Sequence, residues 1–433
     1  MKSNRYIYIV PFEKNQIVLF NGLNKEFLII DSEAKDSYLQ LLKTPDSYKD
    51  SHPSLITYLK SLKFILDDYE NEHEYLKTKR NDYIHYKEYK TTILPTFECN
   101  YNCWYCIQKH EPIKIDESKI ELIIKHVKKY LVEHNIESYV LSWFGGEPLT
   151  QMQTVSYVSN VLKEFCTKHN IEFSGAVTTN GALFNAKTIE ILTHNDINYY
   201  QIAIDGDEKT HNLNKYDKLS DNSFRLILTN IVNLLGVNNQ AHVVLRVNYT
   251  IATLNSKELV SDICKYIPLS YRNRIIVDLQ KVWQIKEKKV DIDKLKLMQQ
   301  SFVENGFELS TGHLFSMCYV EKEHYNMFYY NGGVEKCDKR PINQLRGYLN
   351  ENGDIVWKEK PIILDYNLFD EGCVCNDCAY YPLCYGGCPV LREDRIKENG
   401  GTLPCGYAGD FSIFEHRILD YCWRVINNRK LKL

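Results

Sequence analysis

No stretch of the 433 residues stays apolar over the ~18 to 20 positions that a bilayer-crossing helix needs, so no membrane partner is expected. The opening residues, Met-Lys-Ser-Asn-Arg-Tyr-Ile-Tyr-Ile-Val, lack both the apolar core and the small-residue cleavage site of a secretory signal. A basic excess is missing too. With 53 Lys and Arg against 56 Asp and Glu the formal net charge is -3, whereas an extended nucleic-acid surface needs surplus positive charge to neutralise phosphates. What remains is a composition ordinary for a soluble globular protein, on a chain long enough for two or three domains.

Cysteine, by contrast, is plentiful. Fourteen cysteines without a secretion signal point to a reducing, cytoplasmic compartment in which thiols serve as metal ligands or catalysts rather than disulfides. Three fall within eight residues, Cys99, Cys103 and Cys106, and eight lie between 318 and 405. Cys166, Cys264 and Cys422 stand alone and read as small buried hydrophobes. Electron-transfer cubanes take four cysteines, so a loop offering three leaves one iron open, as a catalytic metal centre requires. Taken alone, the triplet also fits a partial zinc site.

The chain around that loop reads as alternating structure. Residues 6–11, 16–20 and 26–30 pattern as three short strands, with Asn21-Gly22 a turn signal. Helices follow near Tyr38, Leu41 and Leu42 and after Pro53, where Leu55, Leu59, Leu62 and Leu66 share one helical face. This is a winged-helix-like domain over 1–85, and the charged stretch 67–90 reads as a solvated helix and linker. From 86 to 310, strands at 92–97, 138–144, 172–179, 199–204, 242–249 and 274–279 alternate with helices at 118–133, 155–169, 186–194, 224–235, 256–266 and 292–305. Six strand–helix units are too few for a full eight-unit barrel and predict an α/β fold built on a partial (β/α)6 barrel. Its active site belongs at the C-terminal ends of the strands. There the sequence places the cysteine loop, Phe144-Gly145-Gly146-Glu147-Pro148, Thr178-Thr179-Asn180-Gly181 and Asp205-Gly206-Asp207. Each could be a tight turn by itself; four at one rim beside three cysteines suggest a site.

These residues resemble the radical S-adenosylmethionine (SAM) superfamily, whose Cys-x3-Cys-x2-Cys signature is matched by Cys99, Cys103 and Cys106. The resemblance implies a [4Fe-4S] cluster on those three cysteines, with SAM chelating the open iron. It implies that Tyr105 lies near the adenine and that Gly145, Gly146 and Glu147 bind the methionine amino group. Thr179, Asn180 and Asp205 would lie near the ribose or methionyl end, with Arg246 and Asn248 as further cofactor contacts. Relatives carry Arg where this chain has Lys215, which leaves the role of the 205–215 loop open. The implied chemistry is reductive cleavage of SAM to a 5'-deoxyadenosyl radical that abstracts hydrogen from a substrate, with an external electron donor.

Residues 311–433 hold Cys318, Gly332 and Cys337 in a Cys-x13-Gly-x4-Cys pattern, then Cys375, Cys378, Cys384 and Cys388, and finally Cys405. This resembles the SPASM domain, an extension with auxiliary [4Fe-4S] clusters. By that pattern Cys375, Cys378, Cys384 and Cys405 hold one cluster and Cys318, Cys337 and Cys388 the other. Cys373 or an open iron completes the second. Asp338 matches a position that acts as a base in some relatives. Three functions are carried forward. The first is a maturase that installs a thioether or carbon–carbon crosslink in a ribosomally synthesised peptide whose leader adds a strand to the N-terminal domain. The second is a formylglycine-forming, sulfatase-maturing enzyme acting on a protein Cys or Ser. The third is a noncatalytic iron-sulfur or zinc scaffold.

Overall fold

The computed structural model describes residues 1–215, 220–254, 258–282, 284, 291–312, 314–361, 366–407 and 412–431. Where three consecutive segments are anticipated, the chain folds as two compact units. The first takes in Met1–Tyr86, Thr311–Glu323 and Ile362–Val425, and the second Lys87–Ser310, His324–Pro361 and Ile426–Leu433.

In the first unit, Ile7–Pro11, Gln16–Asn21 and Phe27–Asp31 form an antiparallel three-stranded sheet in sequence order, with the middle strand almost wholly buried. Helices Lys35–Lys43 and Pro53–Ser61 cover it through Leu41, Leu42, Ile56 and Leu59, which pack with Ile17 and Leu19. The second helix is shorter than its leucine spacing suggests. Lys63 takes a left-handed φ of 56° and stops it, and Ile65–Leu66 pairs instead with Lys2–Ser3. The helix Glu72–Ile84 is not simply solvated: Asn71 caps it, Leu76 is buried, and Arg80 reaches Glu321 with both terminal nitrogens at 3.1 and 3.0 Å. Arg80, Glu321 and Arg392 form a buried ionic triad, all three at most 4% exposed.

The second unit is the partial barrel. Glu88–Leu94, Ser138–Trp143, Glu172–Thr179, Ile197–Ile204, His242–Tyr249 and Ile275–Lys281 are parallel neighbours in that order, extended by the two-residue strand Glu308–Leu309. The first strand ends at Leu94 rather than 97, because Pro95 has no N–H to continue the ladder. Helices Glu117–Glu133, Met152–Lys168, Ala186–His194, Ser223–Val237, Leu259–Tyr266 and Ile292–Glu304 bury one face each in a continuous hydrophobic core. Ser256 and Lys257, the expected start of the fifth helix, lie outside the described residues. Four of the six helices open on a side-chain cap, Asp116, Asn185, Asn222 and Asp291, each accepting a backbone N–H three residues on. On the other side of Glu88–Leu94 the sheet continues through the parallel strand Tyr325–Tyr329 into the antiparallel Gly333–Glu335, Gly347–Leu349 and Ile355–Trp357. Among the described residues no helix is long and apolar enough to cross a membrane.

Candidate functional site

The loop after the first barrel strand carries Cys99 and Cys103, both partly buried, and Cys106, which is exposed. Its path is fixed by the turn after the second strand. Gly146 N–H donates to Thr96 O at 3.1 Å and Glu147 N–H to Glu98 O at 2.8 Å. The approach is close enough to demand glycine. A Cβ on Gly145, whose φ is +124°, would stand 2.5 Å from Thr96 O, and one on Gly146 would stand 2.6 Å from Phe97 O. The Glu147 side chain is fully buried and accepts from Leu149 N–H at 3.0 Å, Thr179 Oγ1 at 2.8 Å and Asn180 N–H at 2.7 Å. Asn180 in turn donates from Nδ2 to Asn100 Oδ1 at 2.7 Å and lies 3.9 Å from Cys99 Sγ. Gly145, Gly146, Glu147, Thr179 and Asn180 thus form one brace beneath the cysteine loop.

A second network ties the loop to the fourth and fifth strands. Tyr105 donates its hydroxyl to Asp205, 2.8 Å from each carboxylate oxygen, and Asn248 Nδ2 donates to Tyr105 Oη at 3.1 Å and Asp205 Oδ1 at 3.0 Å. Arg246 Nε donates to Asn248 Oδ1 at 3.1 Å, and Gln284 reaches the Tyr105 carbonyl. Lys215 lies 3.8 Å from Asp205, both 3% exposed, and donates to Ala203 O at 2.6 Å. The sequence left this lysine's role open; it is a buried cation behind the loop. Its burial could have been suspected from its place one helical turn after His211, which is itself buried and receives a bond from Asp205 N–H at 3.1 Å. His110 was missed: its Nε2 lies 3.4 Å from Cys106 Sγ. Burial pushes Cys99 up to about 12 and raises Cys103 as well, the Lys215 charge opposing the second shift. Burial first, then the Asp205 charge, holds Tyr105 protonated as a donor.

Asp338 also belongs to the barrel unit. Its carboxylate is raised by burial and held back by Cys337 Sγ, 3.7 Å from Oδ1, and by the charge of Arg246. In the other unit, Cys375, Cys378, Cys384 and Cys405 line one small pocket. The turn that follows Cys384 is left-handed at Tyr385, Gly386 and Gly387, and it aims Gly386 N–H at the Cys384 sulfur, 3.2 Å away. Cys378 Sγ likewise accepts Tyr380 N–H at 3.4 Å. Cys318 and Cys388 belong to the same unit, whereas Cys337 lies in the barrel unit. Burial, opposed by the Val320 N–H and aided by Glu321 and Cys388, raises the Cys318 thiol. Cys373 faces Cys375 and Tyr366. Of the three solitary cysteines Cys166 and Cys422 are buried as expected, while Cys264 is only half-buried.

The family model of the Radical SAM superfamily matches residues 93–248, from the first barrel strand to Asn248. The chain carries a radical SAM domain. The radical SAM cyclopropyl synthase TigE of Paramaledivibacter caminithermalis is 32% identical over 110 residues. That match covers 22% of this chain and 22% of TigE, so it spans about a fifth of the relative's length. Among solved structures, anSMEcpe with bound AdoMet and Cp18Cys peptide superposes with a TM-score of 0.55 at 17% identity, covering 79% of this chain and 99% of that one. Streptococcus suis SuiB bound to precursor peptide SuiA gives 0.51 at 16% identity over 95% and 100%. Both likenesses establish the fold.

A radical SAM domain implies a [4Fe-4S] cluster and SAM, and the residues present fit them. Three thiols share one loop, the glycine turn leaves no side chain against it, and hydrogen-bond donors stand behind Cys99. Among the described residues no three His, Cys, Asp or Glu side chains converge tightly enough for a single ion. A cube spreads its ligands over separate irons and so calls for wider spacing.

Glu147 yields a test. Its carboxyl is raised to about 7 by burial, against the pull of the Asn180, Leu149 and Thr179 donors. A raised carboxyl holds its proton in the folded state, so its contribution is present below the unfolded value of about 4.3 and is lost as pH rises toward 7. In cofactor-free protein, the urea stability of wild type relative to Glu147→Gln should fall by up to about 3 kcal/mol across that window. A constant difference would contradict the assignment.

Proposed function

We propose that this protein is a radical SAM maturase that oxidatively modifies a ribosomally synthesised peptide, forming a thioether or carbon–carbon crosslink. The observation that carries the reading is the one pocket lined by Cys375, Cys378, Cys384 and Cys405, which the sequence spreads over 30 positions. Four thiols around one cavity suit a complete, electron-transferring cubane, whereas the three of the Cys99 loop suit a cluster with an open iron. When bound, the catalytic cluster and SAM supply the hydrogen-abstracting radical, and an auxiliary cluster accepts the electron released as a new bond closes. The chain's own part is to hold the cysteine loop by the Gly146, Glu147 and Asn180 brace and to orient the cofactor from Tyr105, Asp205, Asn248 and Arg246. Asp338, whose carboxyl is raised by burial against the pull of Cys337, is the candidate proton acceptor. Cys318, Cys337 and Cys388 are assigned to a second auxiliary cluster, with Cys373 or an open iron as its fourth position.

A peptide partner accords with two of the similar structures, anSMEcpe with a bound Cp18Cys peptide and SuiB bound to precursor peptide SuiA. For the leader we assign the strand Phe27–Asp31. It closes one end of the three-stranded sheet, its residues are only half-covered or exposed, and Pro11 at the opposite edge strand removes a donor there. Hydrogen exchange of the full chain, with and without a short peptide encoded beside its gene, should show amides 27–31 gaining protection. Protection confined to the barrel residues would overturn leader docking at this edge. Metal content tests the whole reading: anaerobic reconstitution should give about twelve irons per chain, from three cubanes. A value near four, or zinc in place of iron, would sink it.

A further inference from the structure

Arg395 is the single charged side chain lining the Cys375–Cys405 pocket, among the described residues. It comes from the helix Pro389–Glu398, which begins immediately after Cys388 and contributes no ligand of its own to the cysteine pattern. A glycine beside a cysteine makes room for its guanidinium: a Cβ on Gly406, next to Cys405, would lie 2.6 Å from Arg395 Cζ. Its Nε is buried and makes no hydrogen bond among the described residues. A buried cationic donor left without an acceptor is costly, about 1–3 kcal/mol, and the structure around it offers no carboxylate in the pocket lining. What the pocket does offer is four thiols.

We propose that Arg395 is a positioning residue for an iron-sulfur cluster on Cys375, Cys378, Cys384 and Cys405, donating to a cluster sulfur and raising its reduction potential. The proposal rests on the reading of those four cysteines as cluster ligands. A cube on four thiolates is an anion whose negative charge grows by one on accepting an electron. A fixed cation at hydrogen-bonding range therefore stabilises the reduced form more than the oxidised form. Because Arg stays protonated at any working pH, the effect does not switch off. The left-handed turn that aims Gly386 N–H at Cys384 acts in the same direction with a neutral donor. Arg395 adds a full charge to it.

The experiment is an EPR-monitored reductive titration of the reconstituted full chain, comparing wild type, Arg395→Gln and Arg395→Lys, with iron counted in each. A Cys375→Ala/Cys378→Ala variant identifies which signal belongs to this pocket. We expect Arg395→Gln to keep its iron while the midpoint of that one signal moves to more negative potential, and Arg395→Lys to lie between the two. An unmoved midpoint with iron retained overturns the role of Arg395. Loss of iron in both Arg395 variants also overturns it, in favour of a purely structural part. If the double cysteine variant loses no iron, the cluster reading fails at its base, a result independent of how the Arg395 variants behave.

Discussion

Replacing Cys99, Cys103 and Cys106 together with Ala is expected to bring formation of 5'-deoxyadenosine by the reduced protein to background, while about eight of about twelve irons remain. The two halves of that expectation have separate physical grounds. Loss of activity follows because the three thiols share the loop after the first barrel strand, and with them goes the iron whose open position would receive SAM. Retention of the remaining iron follows because the loop is not held by its sulfurs. Its backbone is pinned at Thr96 and Glu98 by Gly146 and Glu147, and its Asn100 side chain is held by Asn180, none of which the substitutions touch. Fold and auxiliary sites should therefore survive. Iron counting and a deoxyadenosine assay on the same preparation read both at once. Residual deoxyadenosine above background would place the catalytic cluster elsewhere. Loss of all iron would mean that the loop nucleates assembly of the whole cofactor set.

How far the sequence revealed this arrangement depended on the range of the interactions involved. The barrel strands were legible because local signals bound them: a β-rich run, then, for four of the six, Asp or Asn capping the next helix. The rim was legible for the same reason, since strand ends coincide with Gly145-Gly146-Glu147, Thr179-Asn180 and Asp205. What could not be read is how those rim residues spend their hydrogen bonds. The resemblance assigns Glu147 to the methionine amino group, and no local pattern reveals that its carboxylate also accepts three bonds from its own protein and so braces Asn180. Lys215 looked like an imperfect arginine, and its burial beside Asp205 depends on the turn of a short helix. The grouping of residues 1–86 with 362–425 was invisible as well, because nothing local to either stretch encodes a contact between positions some 300 apart. The parallel strand Tyr325–Tyr329 escaped notice similarly: its partner Glu88–Leu94 lies far away in the chain.

That long-range grouping leads to the second large effect. Arg80→Ala should cost about 3–5 kcal/mol of stability, because removing one partner of a buried ion pair leaves charge that water cannot reach. Glu321 is 2% exposed, and its carboxyl is driven upward by burial but held below its ordinary value by the charges of Arg392 and Arg80. A depressed carboxyl contributes stability above its unfolded value of about 4.3, and that contribution is lost as pH falls through the folded value. The wild-type advantage over Arg80→Ala should therefore shrink on acidification, as urea midpoints between pH 8 and pH 4 would reveal. Arg80→Lys, which keeps the charge but not the two-pronged geometry, should fall between. A cost below about 1 kcal/mol for Arg80→Ala would show the triad to be electrostatically idle. The location of the triad widens the consequence. Glu321 follows Cys318 by three residues and Arg392 follows Cys388 by four, with Arg392 N–H bonded to Cys388 O at 2.9 Å. Arg80 therefore anchors both cysteine-bearing turns, and Arg80→Ala should also lower iron retained there while the Cys99 loop keeps its own. Deleting residues 1–86 would remove the same anchor along with the sheet, so a loss of peptide modification in such a deletion could not be ascribed to recognition. The edge strand Phe27–Asp31 has to be tested in the intact chain.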